Sequence, residues 1–264
     1  MSKNKWQLYR GINISIEKLE VVDVFKDNEY KIYSTRKRRL DEIKVPQDAL
    51  LPINVKLEKT ISTSLDAAKH VAEKSADPKM QRHISDALDN NEALKKIKQK
   101  MPSKTPKALT DYQQKYSDVD KIKANDEINK IGVFLPDGQE LYHGGNLTGV
   151  EDNSLITNNP LSTTFDPQVA LRNAEHNGKA YDEGQININV IKVKDPKTKA
   201  FVYKQKGTKF GHEKEVLFAS KAKIKIIKQH IISTERKAYK ASKEIAGKIL
   251  EKIVPVYVTE IELS

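Results

Sequence analysis

Residues 161–171 have the sequence LSTTFDPQVAL, in which a short polar strand turns directly into a helix. The first N–H groups of a helix have no partner within the helix, so a turn of this kind presents free donors at its start. The hydroxyls of Ser162, Thr163 and Thr164 stand beside those donors. The segment therefore indicates a place where a phosphate or a ribose can bind.

A second polar segment lies upstream, at the end of a predicted strand that reads Tyr142, His143, Gly144 and Gly145. An imidazole can donate or accept a hydrogen bond near neutral pH. The two glycines carry no side chain, so a ligand can approach the backbone closely. The pattern predicts a ligand-facing strand end at His143.

A third segment, residues 210–218, reads FGHEKEVLF. Glu213 and Glu215 are two positions apart, and side chains at i and i+2 of an extended strand point to the same face. We therefore expect both carboxylates to enter one cleft, with Phe210 and His212 just before them.

These three segments, in this order, resemble the mono-ADP-ribosyltransferase superfamily. Within it they are most similar to the arginine–serine–glutamate class, and closest to the Alt- and Mod-type transferases of tailed phages. The resemblance covers about residues 125–264. His143 stands where this class has Arg. The diphtheria-toxin and poly-ADP-ribose polymerase branch has His-Gly at this position but lacks the Ser-Thr-Ser and the double Glu.

The resemblance implies an α+β fold with a split core of two small antiparallel sheets and flanking helices. It implies NAD+ as a substrate, with no metal, bound by His143, Gly144, Ser162, Thr163 and Thr164. In the family, the counterpart of Glu215 contacts the ribose next to nicotinamide and stabilises positive charge as the glycosidic bond breaks.

The same resemblance assigns the remaining catalytic roles. Ser162 positions the glutamate strand, and Glu213 orients and deprotonates the incoming nucleophile. Phe210 and His212 lie on the loop that recognises the acceptor. Glu at position 213 goes with an arginine acceptor in the family, and RNA is a second acceptor that the sequence leaves open.

The composition limits the classes of chemistry. The chain has 264 residues and no Cys, which excludes cysteine catalysis, thiolate zinc sites and iron–sulfur clusters. Its apolar runs are far shorter than the roughly 20 residues of a membrane span, and the N-terminus lacks an apolar signal region. We therefore expect a cytoplasmic protein of a bacterial or other host cell, without a membrane partner, that acts as a monomer.

The net charge is +11, and residues 197–248 carry fifteen Lys or Arg against four Glu. Such a basic segment indicates a nucleic-acid-associated or acidic partner, for example in transcription or translation, or a solvated lysine-rich face. Three alternatives to the transferase remain open. They are an NAD+ glycohydrolase toxin, a catalytically dead transferase that binds nucleic acid or protein, and a basic nucleic-acid-binding protein.

We expect a catalytic domain at 121–264, preceded by a partly helical region at 1–120 with a linker at 101–106. The N-terminal region repeats two motifs in order, Tyr9-Arg10-Gly11 and Ser62-Thr63-Ser64, which indicates either an eroded duplication or chance.

The periodicity of the chain also predicts particular elements. Helices are expected at 64–74 with Ser64 as N-cap, at 90–100, at 117–130 with Ile122, Ile128 and Ile131 on one side, and at 233–249. A hairpin is expected around residues 136–138, and strands are expected at 186–190, 222–226 and 257–263.

Overall fold

The computed structural model of the chain describes residues 18–35, 55–115, 119–147, 150–204, 209–245 and 247–264. Within them, helices cluster in the first half and strands in the second. The strands are β1 (Tyr30–Thr35), β2 (Val55–Ile61), β3 (Val133–Phe134), β4 (Glu140–Gly144), β5 (Ser154–Ile156), β6 (Leu161–Thr164), β7 (Ile186–Val193), β8 (Lys199–Val202), β9 (Glu215–Phe218), β10 (Lys223–Ala241) and β11 (Ile249–Leu263). The helices are α1 (Ser64–Lys74), α2 (Pro78–Asn90), α3 (Glu92–Gln99), α4 (Lys107–Gln114), α5 (Lys121–Ile131), α6 (Pro167–Glu175) and α7 (Lys179–Glu183).

Nine of these strands form one sheet in the order β3-β8-β9-β6-β4-β7-β11-β10-β5, while β1 and β2 pair separately. The ladder between β4 and β6 consists of a single pair, Tyr142 with Thr164. The sheet is thus nearly divided into a half of four strands and a half of five. This α+β architecture has the split core that was predicted, with two differences: the halves remain joined, and β7 and β11 run parallel.

The prediction of a helix at 233–249 is wrong. These residues belong to β10, to the turn that follows and to the start of β11, which pairs antiparallel with β10 from Ile224 opposite Leu263 to Ala241 opposite Ile249. The spacing of Ala and Ile in the segment fits a helix, but pairing with β11 decides the outcome. The many β-branched residues of both strands favour that pairing.

Three smaller predictions also differ from the structure. Strand β3 pairs with β8, and β4 pairs with β6 and β7, so residues 133–142 do not form a hairpin. The N-cap of α1 is Thr63, whose hydroxyl accepts from the Asp66 N–H, and not Ser64. On α5, Ile128 is buried but Ile122 is exposed, so the expected apolar stripe is incomplete.

The helices before residue 120 share one apolar core with the sheet. Helix α4 is tied to the sheet at two points: Tyr112 Oη donates to the Pro160 carbonyl at 2.9 Å, and Tyr203 Oη donates to the Leu109 carbonyl at 2.9 Å. The domain division at residue 120 stays a prediction, and the two regions pack closely across it. Among the described residues, none of the helices is long and apolar enough to cross a bilayer.

The predicted internal repeat is described in part, since Tyr9, Arg10 and Gly11 lie outside the described residues. Its second motif, residues 62–64, leads from β2 into α1, as 162–164 leads towards α6. The caps differ: Thr63 caps α1, whereas α6 is capped by Asp166. Helix α1 begins at Ser64, the last residue of its motif, whereas α6 begins at Pro167, three residues after the last residue of its motif.

Candidate active site

Glu215 is the first residue of β9, where it pairs with Thr164 of β6, and it is buried. Ser162 Oγ donates a hydrogen bond to Oε1 at 2.6 Å, and Gln113 Nε2 donates to Oε2 at 2.8 Å. Burial raises the pKa of Glu215 to about 7, the Glu213 carboxylate adds to this increase, and the two donors oppose it. The site therefore holds a carboxyl group that gains or loses its proton near neutral pH.

Ser162 is also held from the other side, by His143 at the end of β4. His143 Nδ1 lies 2.8 Å from the Ser162 carbonyl. A carbonyl only accepts hydrogen bonds, so Nδ1 carries the proton and Nε2 keeps its lone pair. Burial lowers the pKa of His143 to about 4, and the charge of Lys179 acts in the same direction. At neutral pH this position supplies a neutral acceptor, where an arginine would supply a cation.

The two glutamates do not lie on one extended segment, which corrects the prediction from their spacing. Glu213 ends a 3-10 turn at Gly211–Glu213, and Lys214 follows with φ 49°, in the left-handed region. The charge of Glu213 nevertheless contributes to the raised pKa of Glu215. The two carboxyl groups therefore lie near each other, and they are brought together by a turn.

Lys214 is oriented by a buried ion pair. Its Nζ lies 2.7 Å from Asp166 Oδ2, and both side chains are almost entirely excluded from solvent. Asp166 also caps α6, accepting from the Gln168 N–H at 3.0 Å. The left-handed turn between the glutamates is thus fastened to the start of the helix that follows β6.

Glu213 itself is half-buried, and so it is more accessible than Glu215. Burial raises its pKa, and the charges of His212, Arg172 and His176 lower it in part. The Phe210 and His212 rings lie beside it, with centroids 6.4 Å apart. The loop predicted to recognise the acceptor therefore lies next to the more accessible carboxylate.

The two threonine hydroxyls of the Ser-Thr-Thr segment have partners within the chain. Thr163 Oγ1 donates to the Val216 carbonyl at 2.7 Å, and Thr164 Oγ1 donates to the Glu213 carbonyl at 2.6 Å. These bonds hold β6 against the glutamate segment. Contacts of Thr163 and Thr164 with NAD+ stay a prediction.

Gly144 is a position of close packing. A Cβ atom built there would lie 1.8 Å from the Ala170 carbonyl oxygen of α6. The expected space beside this glycine is therefore filled by the helix, which allows α6 to lie directly on β4. A contact between NAD+ and the Gly144 backbone stays a prediction.

Three further polar side chains near the site were not predicted from sequence. Gln113 reaches Glu215 from α4, Arg172 on α6 acts on Glu213, and Lys179 donates to the Gly144 carbonyl at 3.2 Å. Arg172 follows the Ser-Thr-Thr turn by a few residues, so its helix was predicted and only its role was missed. Gln113 carried no comparable signal.

No protein-family model matches the chain, and no curated protein matches it in sequence. Among solved structures, the chain is similar to Vis, an ADP-ribosyltransferase from Vibrio splendidus, in complex with the M6 inhibitor. The identity is 14% over 74% of this chain and 89% of Vis, with a TM-score of 0.39.

Two other solved structures show a similar level of likeness. C3larvin, an ADP-ribosyltransferase toxin from Paenibacillus larvae, matches with 12% identity over 64% of this chain and 92% of its own, at a TM-score of 0.34. The ADP-ribosylating toxin BECa of C. perfringens, solved with NADH, matches with 15% identity over 82% and 54%, at a TM-score of 0.33. Each of these three proteins is an ADP-ribosyltransferase or an ADP-ribosylating toxin.

Proposed function

We propose that the chain is an NAD+-dependent mono-ADP-ribosyltransferase. The observation that carries the proposal is the buried Glu215 carboxylate, held between Ser162 Oγ and Gln113 Nε2. Breaking the bond between nicotinamide and ribose leaves positive charge on the sugar, in a transition state like that of glycoside hydrolysis. A fixed carboxylate in a dry cleft stabilises that charge more strongly than water does.

The reaction is a transfer of one glycosidic bond. The bond from the nicotinamide nitrogen to ribose C1′ breaks, and nicotinamide leaves as a neutral molecule. C1′ then bonds to the acceptor nitrogen, which loses a proton to Glu213. A carboxylate whose pKa is raised by burial is a stronger base than an exposed one, which suits Glu213 to this step.

His143 suits the role of a neutral hydrogen-bond acceptor for the substrate. With Nδ1 bonded to the Ser162 carbonyl, Nε2 is an acceptor for a hydroxyl or amide of the bound dinucleotide. The positive charge that an arginine would bring must come from elsewhere. Arg172 and Lys179, which act electrostatically on Glu213 and His143, are the cations we assign to the dinucleotide phosphates.

The acceptor we favour is the guanidinium group of a protein arginine, and RNA is the alternative. Glu213 is an anion that can face a cation. The Phe210 ring already holds the Lys209 ammonium 5.2 Å from its centroid, so a guanidinium of the acceptor would stack on its other face or replace Lys209. The basic segment 197–248 supports an acceptor associated with nucleic acid. We place the reaction in the cytoplasm of a bacterial or other host cell, as a host-modifying enzyme or toxin.

Release of nicotinamide from NAD+ by the purified chain tests the proposal, measured with agmatine as a soluble guanidinium acceptor and with a cell lysate. The expected result is acceptor-stimulated release that Glu215→Gln lowers by about 10²–10³-fold. Glu213→Gln should lose transfer to agmatine and retain slow release to water.

Release that no acceptor stimulates would assign the chain as an NAD+ glycohydrolase. An absence of turnover under every condition would contradict catalysis and leave a binding protein with a transferase fold. Thermal unfolding of each variant separates loss of chemistry from loss of folding.

A further inference from the structure

The long hairpin formed by β10 and β11 exposes an unusual amount of apolar surface. Of the twelve large apolar side chains exposed among the described residues, six belong to this hairpin and its turn. They are Ile227, Ile231, Tyr239, Ile245, Ile249 and Ile253. Exposed apolar residues are ordinary when scattered singly, whereas a group of them marks a surface that contacts something.

The strand register places four of these six residues on one face. Ile231 is opposite Tyr257, Lys237 is opposite Ile253, and Ala241 is opposite Ile249. Side chains alternate between the two faces of a strand, so Tyr239 shares the face of Lys237. We call the face that carries Ile231, Tyr239, Ile249 and Ile253 the outer face. Ile245 is exposed in the turn that joins the two strands.

The opposite face holds the hairpin in place on the body of the protein. Ala238 and Val254 are buried there, and Arg236 Nη2 donates to the Ala72 carbonyl of α1 at 2.6 Å. Lys240 forms an ion pair with Asp182 of α7. The outer face is therefore presented by an anchored element, with its apolar residues in fixed positions.

The charge of the hairpin selects the kind of surface it can contact. Residues 223–252 contain nine Lys or Arg and three Glu, and no Asp. Glu251 lies on the outer face and is paired with Lys237 at 2.9 Å. Lys243 and Lys248 are exposed beside Ile245 at the turn. The outer face thus combines aliphatic side chains with a basic rim, which complements a surface that is both anionic and apolar.

The residue types distinguish a lipid surface from a protein surface. Protein interfaces favour Arg and aromatic residues and are depleted in Lys. The only arginine of this hairpin is engaged on its inner face, and the exposed cations are lysines. Lysine beside aliphatic residues and tyrosine is the composition of segments that bind anionic membrane interfaces. A nucleic acid would match the charge and leave the isoleucines without a partner.

We propose that the outer face of the β10–β11 hairpin docks on the surface of a lipid bilayer that contains acidic phospholipids. Ile249 and Ile253 enter the headgroup region, Tyr239 lies at the interface, and Lys243 and Lys248 contact the lipid charges. This differs from the sequence expectation of a protein without a membrane partner, and it concerns contact with one leaflet only.

Co-sedimentation of the full chain with vesicles tests this docking. Vesicles of phosphatidylcholine with phosphatidylserine should bind the protein, and vesicles of phosphatidylcholine alone should bind it weakly. The double variant Ile249→Ser/Ile253→Ser should lower the partition coefficient by about tenfold. Lys243→Gln and Lys248→Gln should each lower it about fivefold, only where phosphatidylserine is present.

The matched control is Ile122→Ser, because Ile122 is 74% exposed on α5 and is not part of the outer face. It should bind vesicles as the unmodified chain does. All the substituted side chains are exposed, so circular dichroism and thermal unfolding should be unchanged. If the double variant fails to fold, the two lysine variants still test the charge requirement.

Several results would overturn the proposal. One is equal loss of binding in Ile122→Ser and in the double variant. Another is the absence of any binding to phosphatidylserine vesicles. Concentration-dependent dimerisation abolished by Ile249→Ser/Ile253→Ser would instead assign the outer face to a second copy of the chain. Retention on RNA that needs the lysines and not the isoleucines would assign it to nucleic acid.

Discussion

Gln113 and Glu215 are 102 residues apart in the sequence, and in the structure Gln113 Nε2 lies 2.8 Å from Glu215 Oε2. Helix α4 carries Gln113 and is held in place by two buried hydrogen bonds. Tyr112 of the helix donates to the Pro160 carbonyl, and Tyr203 donates to the Leu109 carbonyl of the helix. One oxygen of the central carboxylate is therefore held by the sheet, through Ser162, and the other by the helical region. The site is complete only when both parts are packed together.

Replacing Gln113 with Leu should shift the pH dependence of nicotinamide release. The amide lowers the pKa of Glu215 by donating to its charged form, so its removal raises that pKa above about 7. The acid limb of kcat/KM should move up by about one pH unit, with activity largely recovered in alkali. Gln114→Leu, on the same helix and exposed, is the control. Superimposable profiles for the two variants would remove Gln113 from the active site.

Replacing Glu215 with Gln should increase stability above neutral pH. In the unfolded chain this group ionises near 4.5, and in the folded chain only near 7, so the folded state binds the extra proton between these values. Stability of the unmodified protein therefore falls as the pH rises through this window. The variant lacks this loss and should be more stable in alkali by about 1–3 kcal/mol, as measured by urea unfolding.

The same Glu215 variant should lose activity by about 10²–10³-fold. Glu244→Gln, at the exposed turn of the hairpin, controls for the removal of a negative charge. A stability difference that does not vary with pH would mean that the carboxyl group does not titrate in the window between 4.5 and 7.

Two substitutions of His143 should separate its two nitrogens. In His143→Asn, the amide can replace Nδ1 and keep donating to the Ser162 carbonyl, but nothing occupies the position of Nε2. In His143→Gln, the amide reaches the Nε2 position and the bond to Ser162 is lost. If Nε2 meets the substrate, His143→Asn should raise the KM for NAD+ with little change in the unfolding midpoint.

His143→Gln should show the opposite pattern, a lower unfolding midpoint with a smaller effect on KM. Calorimetry of both variants beside NAD+ titrations of the initial rate provides the comparison. Equal effects on KM and stability in the two variants would argue against separate roles for the nitrogens.

Breaking the ion pair between Lys214 and Asp166 should be far more damaging than breaking an exposed one. Both groups are buried, so Asp166→Asn leaves the Lys214 ammonium without its counterion and should cost about 3–5 kcal/mol in urea unfolding. Lys237→Ala, which breaks an exposed pair with Glu251, should leave the midpoint unchanged. Similar midpoints for the two variants would show that the buried pair does not hold the turn.

The polar motifs of the site were predictable because each has a local signature. The strand-to-helix turn at Ser162 and the position of Glu215 before a run of Val, Leu and Phe depend on a few neighbouring residues. The contact of Gln113 has no such signature, since it joins two polar residues through the packing of a helix on a distant strand. The turn at Lys214 was not predictable from sequence either, because a Glu-x-Glu pattern fits an extended strand as well as it fits a turn.

The hairpin of β10 and β11 illustrates the same limit in the fold. Spacings of three and four residues between Ala238, Ala241, Ile245 and Ile249 satisfy the helix period. The strand conformation depends instead on pairing of β10 with β11, in which Ala238 lies opposite Lys252 and Ala241 lies opposite Ile249. Pairing with another strand overrides a local period, and the spacing of apolar residues within one segment does not reveal that partner.

Strands β4 and β6 are joined by a single residue pair, Tyr142 with Thr164. Next to this pair, the His143 imidazole supplies a side-chain hydrogen bond to the Ser162 carbonyl, where a backbone hydrogen bond of the sheet would otherwise be expected. The ring that we propose to contact the substrate therefore also links the two halves of the sheet. A substitution at 143 that keeps a donor at the Nδ1 position can therefore alter substrate binding and still hold β4 to β6, whereas one that removes this donor also weakens the contact between the two halves of the sheet.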